Sequence, residues 1–209
     1  MKVTIVGAGN MGAAFAKQLL AAGHQVRVTS KSADKAASLA AALPGIVVVS
    51  AEAARDADVI IAATGFADSV KALASLGDLD GKVVVDISNP LSADYMSLTL
   101  GHTTSAAEQI AAGLPGAIVV KAFNTLFAQV LGGGADLGNG QKASVFVASD
   151  SERGKQTVKA LAESMGFGVV DAGGLKNARY LEPLGGFNVY LGYGAGLGTS
   201  IAPTWVHKA

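Results

Sequence analysis

The stretch Gly7-Ala8-Gly9-Asn10-Met11-Gly12 decides how this sequence folds. It matches the pattern G-x-G-x-x-G, follows the apolar run Val3–Val6 directly, and opens the alanine-rich stretch Met11–Ala22. Between a strand and a helix, such glycines permit a tight turn, close approach of a pyrophosphate to the backbone and close helix–strand packing. The helix N-terminus adds free N–H groups and the positive end of its dipole. The stretch predicts dinucleotide binding, and the residues expected to bind are Gly7, Gly9, Asn10, Met11 and Gly12. The alternative is a glycine turn that serves packing alone.

Apolar runs and helical patterns alternate along the rest of the sequence. The apolar runs are rich in Val and Ile, as expected for strands covered on both faces. They are Val3–Val6, Gln25–Thr29, Ile46–Val49, Val59–Ala63, Lys82–Ile87, Ala117–Phe123, Ser144–Ala148 and Gly168–Asp171. The helical stretches between them include Met11–Ala22, Ala33–Leu43, Ala67–Leu76, Ser105–Ala112 and Ser151–Gly166. Alternation of this kind implies βαβ units with helices on both faces of one sheet. We therefore predict an α/β fold of the Rossmann type, doubly wound, with a mainly parallel sheet and a small C-terminal extension.

One domain accounts for the chain, because no linker and no shift in composition divides it. The segment from Gly132 to Gly140 is rich in glycine and is predicted to be a loop. Residues 1–175 are predicted to form an NADP-binding domain. Residues 176–209 are predicted to form an extension that packs on the same domain and contributes to a dimer interface.

The end of the second predicted strand indicates which dinucleotide is bound. An NAD site usually has Asp or Glu about 20 residues after the glycines, where the carboxylate accepts from the ribose 2′-hydroxyl. This chain has Ser30-Lys31-Ser32 at that place, and Asp34 comes too late in the sequence to serve. Hydroxyl and ammonium groups suit a 2′-phosphate, which an acid would repel. Ser30 and Lys31 therefore favour NADP, and the alternative is that Ser32 only caps the next helix while Lys31 is solvated.

Two further predicted strands end in polar turns. Val59–Ala63 leads into Thr64, and the next strand leads into Ser88-Asn89-Pro90. Open α/β sheets bind ligands at the carboxyl ends of their strands. Thr64, Ser88 and Asn89 are thus candidates to contact the ribose, pyrophosphate or carboxamide, with Pro90 setting the loop shape. Ordinary turn residues are the alternative.

Composition excludes several classes of function. Half of the 209 residues are hydrophobic and 15% are charged, which excludes a mainly disordered chain. Sixteen basic residues balance sixteen acidic ones, so neither nucleic acid nor an anionic membrane surface is an expected partner. The absence of cysteine excludes disulfides and thiolate sites, and three widely separated histidines (His24, His102, His207) do not predict a metal site. The uncharged stretch Pro183–Val206 is broken by glycines, so we expect no membrane span and a soluble, cytoplasmic protein.

Five motifs in a fixed order carry a resemblance to a known family. They are the glycine turn, Ser30-Lys31, Ser88-Asn89-Pro90, Val120-Lys121-Ala122-Phe123-Asn124-Thr125 and Asp171-Ala172-Gly173-Gly174-Leu175. Together they resemble the NADPH-dependent reductases of the deazaflavin coenzyme F420, and the related flavin-using cytosolic domains of metalloreductases. The resemblance runs from Lys2 to about Trp205. It implies a compact domain, usually dimeric, with NADP on its N-terminal half and F420 or a flavin (FMN or FAD) against the nicotinamide.

The resemblance also assigns residues to each part of the two ligands. It implies that Lys35 joins Ser30 and Lys31 at the 2′-phosphate, and that Thr64 and Asn89 lie near the nicotinamide. The residues implied to face the second ring are Ala122, Asn124 and Thr125. Some family members that use F420 have a histidine in this motif, where this chain has Ala122-Phe123-Asn124-Thr125, so the hydride acceptor stays open.

Direct hydride transfer requires few protein groups. The two rings carry the chemistry, and the protein has to stack them with the reacting atoms about 3–3.5 Å apart and exclude water. No catalytic residue is therefore predicted, and no metal. Two alternatives stay open, an NADP-dependent dehydrogenase of a small carbonyl compound and a non-catalytic NADP sensor. A dehydrogenase normally needs a proton donor, for which Lys121 and Lys176 are the candidates.

The C-terminal stretch combines Phe187, Tyr190, Tyr193 and Trp205 with many glycines and no charge. An uncharged aromatic surface of this kind is expected to be covered. A homodimer partner is the first choice, a lining for the second ring is the next, and packing within the domain is the third.

Overall fold

The computed structural model describes residues 1–138 and 140–205. The last four residues of the predicted extension, among them His207, lie outside these residues, and so does residue 139 of the predicted loop. The strands are β1 (Lys2–Val6), β2 (Gln25–Thr29), β3 (Ile46–Val48), β4 (Val59–Ala62), β5 (Val83–Asp86), β6 (Ile118–Lys121), β7 (Asp136–Gly138), β8 (Gln141–Lys142), β9 (Ser144–Val147) and β10 (Gly168–Asp171). The helices are α1 (Asn10–Ala21), α2 (Ala33–Ala42), α3 (Ala51–Ala54), α4 (Phe66–Ala74), α5 (Ala106–Gly113), α6 (Ala128–Gly133), α7 (Glu152–Ser164) and α8 (Ala178–Val189).

Six strands form a parallel sheet in the order β3-β2-β1-β4-β5-β6. The strand order reverses between β1 and β4, which is the switch point at which doubly wound sheets open a crevice for ligands. Every residue of β4 and β5 is buried, which explains why these strands appear in the sequence as unbroken apolar runs. The predicted Rossmann-type fold with a mainly parallel sheet is confirmed.

The strands β9 and β10 form a separate parallel pair beside β6. A single antiparallel bridge, in which Lys121 and Ala148 exchange backbone hydrogen bonds of 2.9 and 3.0 Å, joins this pair to the main sheet. The core on this side includes Phe123, whose ring makes edge contacts with Phe15 and Phe167 at centroid distances of 5.0 and 6.3 Å. Phe123 is fully buried although its φ is +60°, a left-handed conformation that is uncommon for a bulky residue.

Two sequence-based predictions of local structure are wrong. The segment Gly132 to Gly140 is not wholly a loop, because Gly132 and Gly133 end α6 and β7 pairs with the antiparallel strand β8. The C-terminal stretch is not broken at its first glycines, because α8 runs through Gly185 and Gly186. A one-turn π-helix, Tyr190–Gly194, continues α8.

The buried face of α8 explains why its helical pattern is hard to see in the sequence. It consists of small and polar residues as well as one leucine, namely Ala178, Leu181, Glu182, Gly185 and Asn188. These positions follow helical spacing, but hydrophobicity alone does not reveal them. The predicted boundary at residue 175 falls at a 3₁₀ turn, Leu175–Asn177, and the division there stays a prediction. Within residues 1–138 and 140–205, no helix has both the length and the apolar character needed to cross a membrane.

Candidate functional site

The glycine turn has the geometry that its sequence predicts. Gly7 has a φ of +117°, and a Cβ built there would collide with the carbonyl oxygen of Ala63. A Cβ at Gly12 would collide with the carbonyl oxygen of Gly7, so α1 packs against the turn itself. By contrast, nothing lies within 4 Å of a Cβ built at Gly9. The first turn of α1 has neither an acidic residue nor a side-chain cap, which leaves its N–H groups for an anion.

A first cavity of about 480 Å³ opens beside this turn at the carboxyl ends of β1, β2 and β4. The cavity brings together residues from three predicted segments, and those lining it are Gly7, Gly9, Ser30, Lys31, Lys35 and Thr64. The Thr64 hydroxyl lies 3.0 Å from that of Ser69, which fixes it at the cavity wall. Two charged residues that the sequence analysis missed, Asp68 and Lys71, also line the cavity.

The polar residues after β2 are held by short-range hydrogen bonds. The Ser30 hydroxyl accepts from the backbone N–H of Ser32 at 3.2 Å, and the Ser32 hydroxyl accepts from that of Lys35 at 3.3 Å. Ser32 therefore caps α2, as the alternative interpretation expects. The Lys31 side chain is 86% exposed, and its Nζ lies 3.1 Å from Oδ2 of Asp68.

A second cavity of about 570 Å³ lies at the ends of β5 and β6. Asn10 and Met11 line it, so the start of α1 separates the two cavities by a single turn of chain. Its walls are largely apolar and come from Leu126, Phe127, Tyr95, Met96, Val189 and Tyr193. Among the described residues that line it, Asp94 is the charged one, and hydrogen bonds from the Ser92 hydroxyl and the Met96 N–H hold the pKa of this carboxyl below its usual range.

A pair of asparagines forms the polar part of the second cavity. Nδ2 of Asn89 donates to the backbone oxygen of Asn124 at 2.7 Å, and Nδ2 of Asn124 donates to Oδ1 of Asn89 at 2.9 Å. Asn124 also donates to the backbone oxygen of Leu181 in α8 at 2.7 Å. Its own Oδ1 is buried and has no hydrogen-bond partner among the described residues. A buried amide oxygen without a partner is costly unless a ligand donates to it.

Comparison with known proteins identifies the family. A family model described as NADP oxidoreductase coenzyme F420-dependent matches residues 2–90. The F420-dependent NADP reductase of Methanothermobacter marburgensis is 31% identical in an alignment 205 residues long, gaps included, that covers 88% of this chain and 89% of that protein. The chain belongs to this family of oxidoreductases. It is an NADP-dependent oxidoreductase.

Two further comparisons extend this result. A crystal structure assigned as an F420-dependent NADP reductase from Arthrobacter sp. FB24 superposes with a TM-score of 0.83 at 29% identity, covering 96% of both chains. The metalloreductase STEAP3 of Rattus norvegicus is 36% identical over 184 residues, which cover 88% of this chain. The chain spans only 36% of the length of that metalloreductase.

Not every predicted site residue of this F420-dependent NADP reductase family member reaches a cavity. Gly12 lies inside the helix–strand contact, and the other residues that line neither cavity are Ser88, Pro90, Ala122 and Thr125. The hydroxyls of Ser88 and Thr125 are buried and, within residues 1–138 and 140–205, have no partner. Contact between any of the predicted site residues and a ligand stays a prediction, and Asn89 and Asn124 are the two predicted residues after β5 and β6 that line the second cavity.

Lys121 lies beneath the site in a fully buried cluster of charges. Its Nζ is 2.8 Å from Oδ2 of Asp86 and 2.8 Å from Oε1 of Glu182, and it also donates to the backbone oxygen of Ser88. Glu182 accepts in addition from two backbone N–H groups at the start of α5. Lys121 lines neither cavity, so the oxidoreductase does not present it as a proton donor. Lys176, the other candidate donor, lines a different cleft beside His102 and Arg179.

The aromatic residues of the C-terminal stretch lie mainly at the surface. Phe187 is 57% exposed and Tyr190 is 47% exposed, and their rings stack at a centroid distance of 6.5 Å. Tyr193 is 60% exposed, packs edge-on against Phe127 and lines the second cavity. Trp205 packs edge-on against Phe146 but is 57% exposed. Packing within the domain therefore covers these side chains only in part.

Proposed function

We propose that this oxidoreductase transfers a hydride between NADPH, bound in the first cavity, and a planar deazaflavin or flavin ring bound in the second. Coenzyme F420 is the first candidate acceptor, because relatives of similar length are F420-dependent NADP reductases. One observation carries the proposal: the two cavities lie on either side of the start of α1, with Gly7 and Gly9 lining the first and Asn10 and Met11 lining the second. A dinucleotide that extends along this turn would place its nicotinamide at the entrance to the second cavity.

The first cavity has donor groups that suit NADP. The open face of Gly9 and the free N–H groups of α1 would hold the pyrophosphate. Ser30, Lys31 and Lys35 would hold the 2′-phosphate, since a hydroxyl and two ammonium groups complement a dianion. Thr64, which the resemblance places near the nicotinamide, lines the first cavity and not the second, so in this arrangement it would lie beside the ribose or the pyrophosphate.

The second cavity suits a flat ring with polar edges. Its apolar walls would cover the ring faces and exclude water, while Asn124 offers an unpaired buried oxygen to a ring N–H or to the nicotinamide amide. The nicotinamide of NADPH supplies the hydride when it is bound. The protein groups then act by orienting the two rings and excluding water from the site. No side chain needs to take up or release a proton for the hydride to pass.

Reduction of a small carbonyl compound is the second candidate. Tyr95 and Tyr193 line the second cavity, so a phenol hydroxyl is available there as a proton donor for a carbonyl oxygen. A non-catalytic NADP sensor is the third possibility. All three functions share the first cavity and differ only in what occupies the second.

The test is oxidation of NADPH in the presence of different acceptors. The purified protein is mixed with NADPH and F420, FMN, FAD, riboflavin or a small ketone, and the absorbance of the reduced nicotinamide is followed. We expect turnover with F420 or a flavin. Turnover with the ketone alone would favour the dehydrogenase, and binding of NADPH without turnover would favour the sensor.

Isotope transfer adds a stricter criterion. With NADPH deuterated at C4, direct transfer to a deazaflavin leaves the deuterium on a ring carbon, where it does not exchange with water. We expect the label in the reduced deazaflavin, detected by mass spectrometry. Reduced deazaflavin without the label from either C4 position would contradict direct transfer between the two cavities.

We also propose that the protein acts as a homodimer. The exposed side chains that support this proposal are Phe187, Tyr190, Tyr193, Tyr95, Met96 and Leu197. Several of them line or border the second cavity, so a second copy covering them would also shield the acceptor from water.

A further inference from the structure

Asp68 is an acid placed where the proposed function requires affinity for a phosphate. It lies in the first turn of α4 and lines the first cavity together with Lys31, Lys35 and Lys71. Its Oδ2 is 3.1 Å from Nζ of Lys31, and the side chains are 60% and 86% exposed. An ion pair this exposed contributes little to folding. Its main effect therefore falls on whatever binds between these groups.

A 2′-phosphate and the Asp68 carboxylate compete for the same ammonium group. At neutral pH the phosphate has a charge of about −1.5 to −2, so it is repelled by a carboxylate a few ångströms away. To bind Lys31, the phosphate has to displace Asp68 or lie beside it. A ribose 2′-hydroxyl meets no such repulsion and can donate to a carboxylate, as in NAD sites.

We infer that Asp68 is a specificity-determining residue that weakens the preference of the first cavity for the phosphorylated nucleotide. This inference rests on the proposed function, because it takes the first cavity as the NADP site. The carboxylate acts at the adenosine end only, far along the nucleotide from the reacting ring. Its removal should strengthen binding of a 2′-phosphate without strengthening binding of the corresponding 2′-hydroxyl compound.

The chain contains a matched control for this acid. Asp34 lies in the first turn of α2 and is exposed, as Asp68 is in α4, but Asp34 does not line the cavity. Replacing either acid by asparagine removes one negative charge and one favourable interaction with a helix dipole. Only Asp68→Asn also releases Lys31.

Calorimetric titration with 2′,5′-ADP and with 5′-AMP isolates the effect. Both probes represent the adenosine half of the nucleotide, so the result does not depend on the acceptor. We expect Asp68→Asn to bind 2′,5′-ADP about threefold to tenfold more tightly than the wild type, from the loss of one close like charge. Binding of 5′-AMP should stay equal or become weaker, and Asp34→Asn should change neither constant by more than about twofold.

The possible results separate this inference from the proposed function. If the wild type binds 2′,5′-ADP but Asp68→Asn binds it no more tightly, the role of Asp68 is wrong and the NADP site stands. An equal gain in Asp34→Asn would also overturn the inference, since it would reflect net charge alone. If the wild type binds neither 2′,5′-ADP nor NADPH, the proposed function and the inference both fall.

Discussion

At the scale of single residues, Lys121 shows how a charged group can be part of the core. Its side chain is fully buried, and so is that of Asp86, while Glu182 is 2% exposed. Isolated buried charges are very unfavourable, but here the Lys121 ammonium group binds two carboxylates and a backbone carbonyl. The Glu182 carboxylate also accepts from two backbone N–H groups at the start of α5. The cluster links β5, β6, α5 and α8 beneath the candidate site.

Replacing Lys121 by methionine should destabilise the fold strongly. The variant keeps most of the side-chain volume but leaves two buried carboxylates without their cation, which costs about 3–5 kcal/mol for a buried pair. Urea unfolding followed by circular dichroism measures this loss. In the control Lys2→Met, which removes a partly exposed pair with Asp56, the loss should be at most about 1 kcal/mol. Equal losses in the two variants would contradict a structural role for the buried cluster.

At the scale of elements, α8 is attached to the sheet through polar contacts. Leu181 O accepts from Asn124, Glu182 binds Lys121, and Nδ2 of Asn188 donates to the backbone oxygen of Thr125 at 3.0 Å. Gly185 allows the close approach, since a Cβ there would lie 2.7 Å from Oδ1 of Asn89 and 2.8 Å from the backbone oxygen of Asn124. The helix therefore positions the asparagine pair at the second cavity.

Gly185→Ala should disturb both stability and the second cavity. The added methyl group has to displace α8 or the asparagine pair, and overpacking of this kind costs about 1–3 kcal/mol. We expect a higher KM for the acceptor with little change in the KM for NADPH, measured by steady-state kinetics. Gly133→Ala at the end of α6 is the control, because nothing lies within 4 Å of its Cβ. An unchanged acceptor KM in Gly185→Ala would contradict the positioning role of α8.

The sequence predicts most elements of the fold because the physical signals are local. Strands such as β4 and β5 are buried on both faces, so their Val and Ile runs predict them to within about two residues. The glycine turn is equally visible, because only glycine fits where a Cβ would meet backbone. By contrast, the buried face of α8 includes Glu182 and Asn188, whose burial depends on partners distant in sequence.

The candidate site is predicted from sequence only in part, for a related reason. Residues directly after strands, such as Lys31 and Asn89, are placed by the strand itself. Asp68 looks in the sequence like any first-turn acid that complements a helix dipole. Its position over the first cavity becomes visible only when α4 is packed against the sheet. The loop that includes Asp94 and Tyr95 has no periodic pattern, so its place at the second cavity has no sequence signal.

At the scale of the whole molecule, several exposed aromatic residues lie at or after the C-terminal end of α8, where Tyr193 lines the second cavity. Phe187 and Tyr190 stack on each other at the surface, and Tyr193 and Met96 border the cavity. Exposed apolar groups of this size in one region are typical of contact surfaces between proteins. The charge balance of the chain offers no repulsion between copies.

The double variant Phe187→Ser, Tyr190→Ser should dissociate the proposed homodimer. We expect the wild type to sediment as a dimer at micromolar concentration, and the variant to shift toward the monomer because it loses two large apolar contacts. Analytical ultracentrifugation measures the distribution. Tyr180→Ser serves as the control, since Tyr180 is 75% exposed at the opposite end of α8. A wild type that is monomeric at every concentration would contradict the proposal.

The left-handed backbone at Phe123 connects the aromatic core with the second cavity. An L-residue with this φ is less stable by roughly 1–2 kcal/mol, a strain that glycine would relieve. Glycine would also delete the ring that holds Phe15 and Phe167 together. Phenylalanine keeps the ring contacts but strains the backbone, whereas glycine would relieve the strain and lose the contacts. Because the next residue is Asn124, the aromatic interior and the polar rim of the second cavity cannot be remodelled independently of each other.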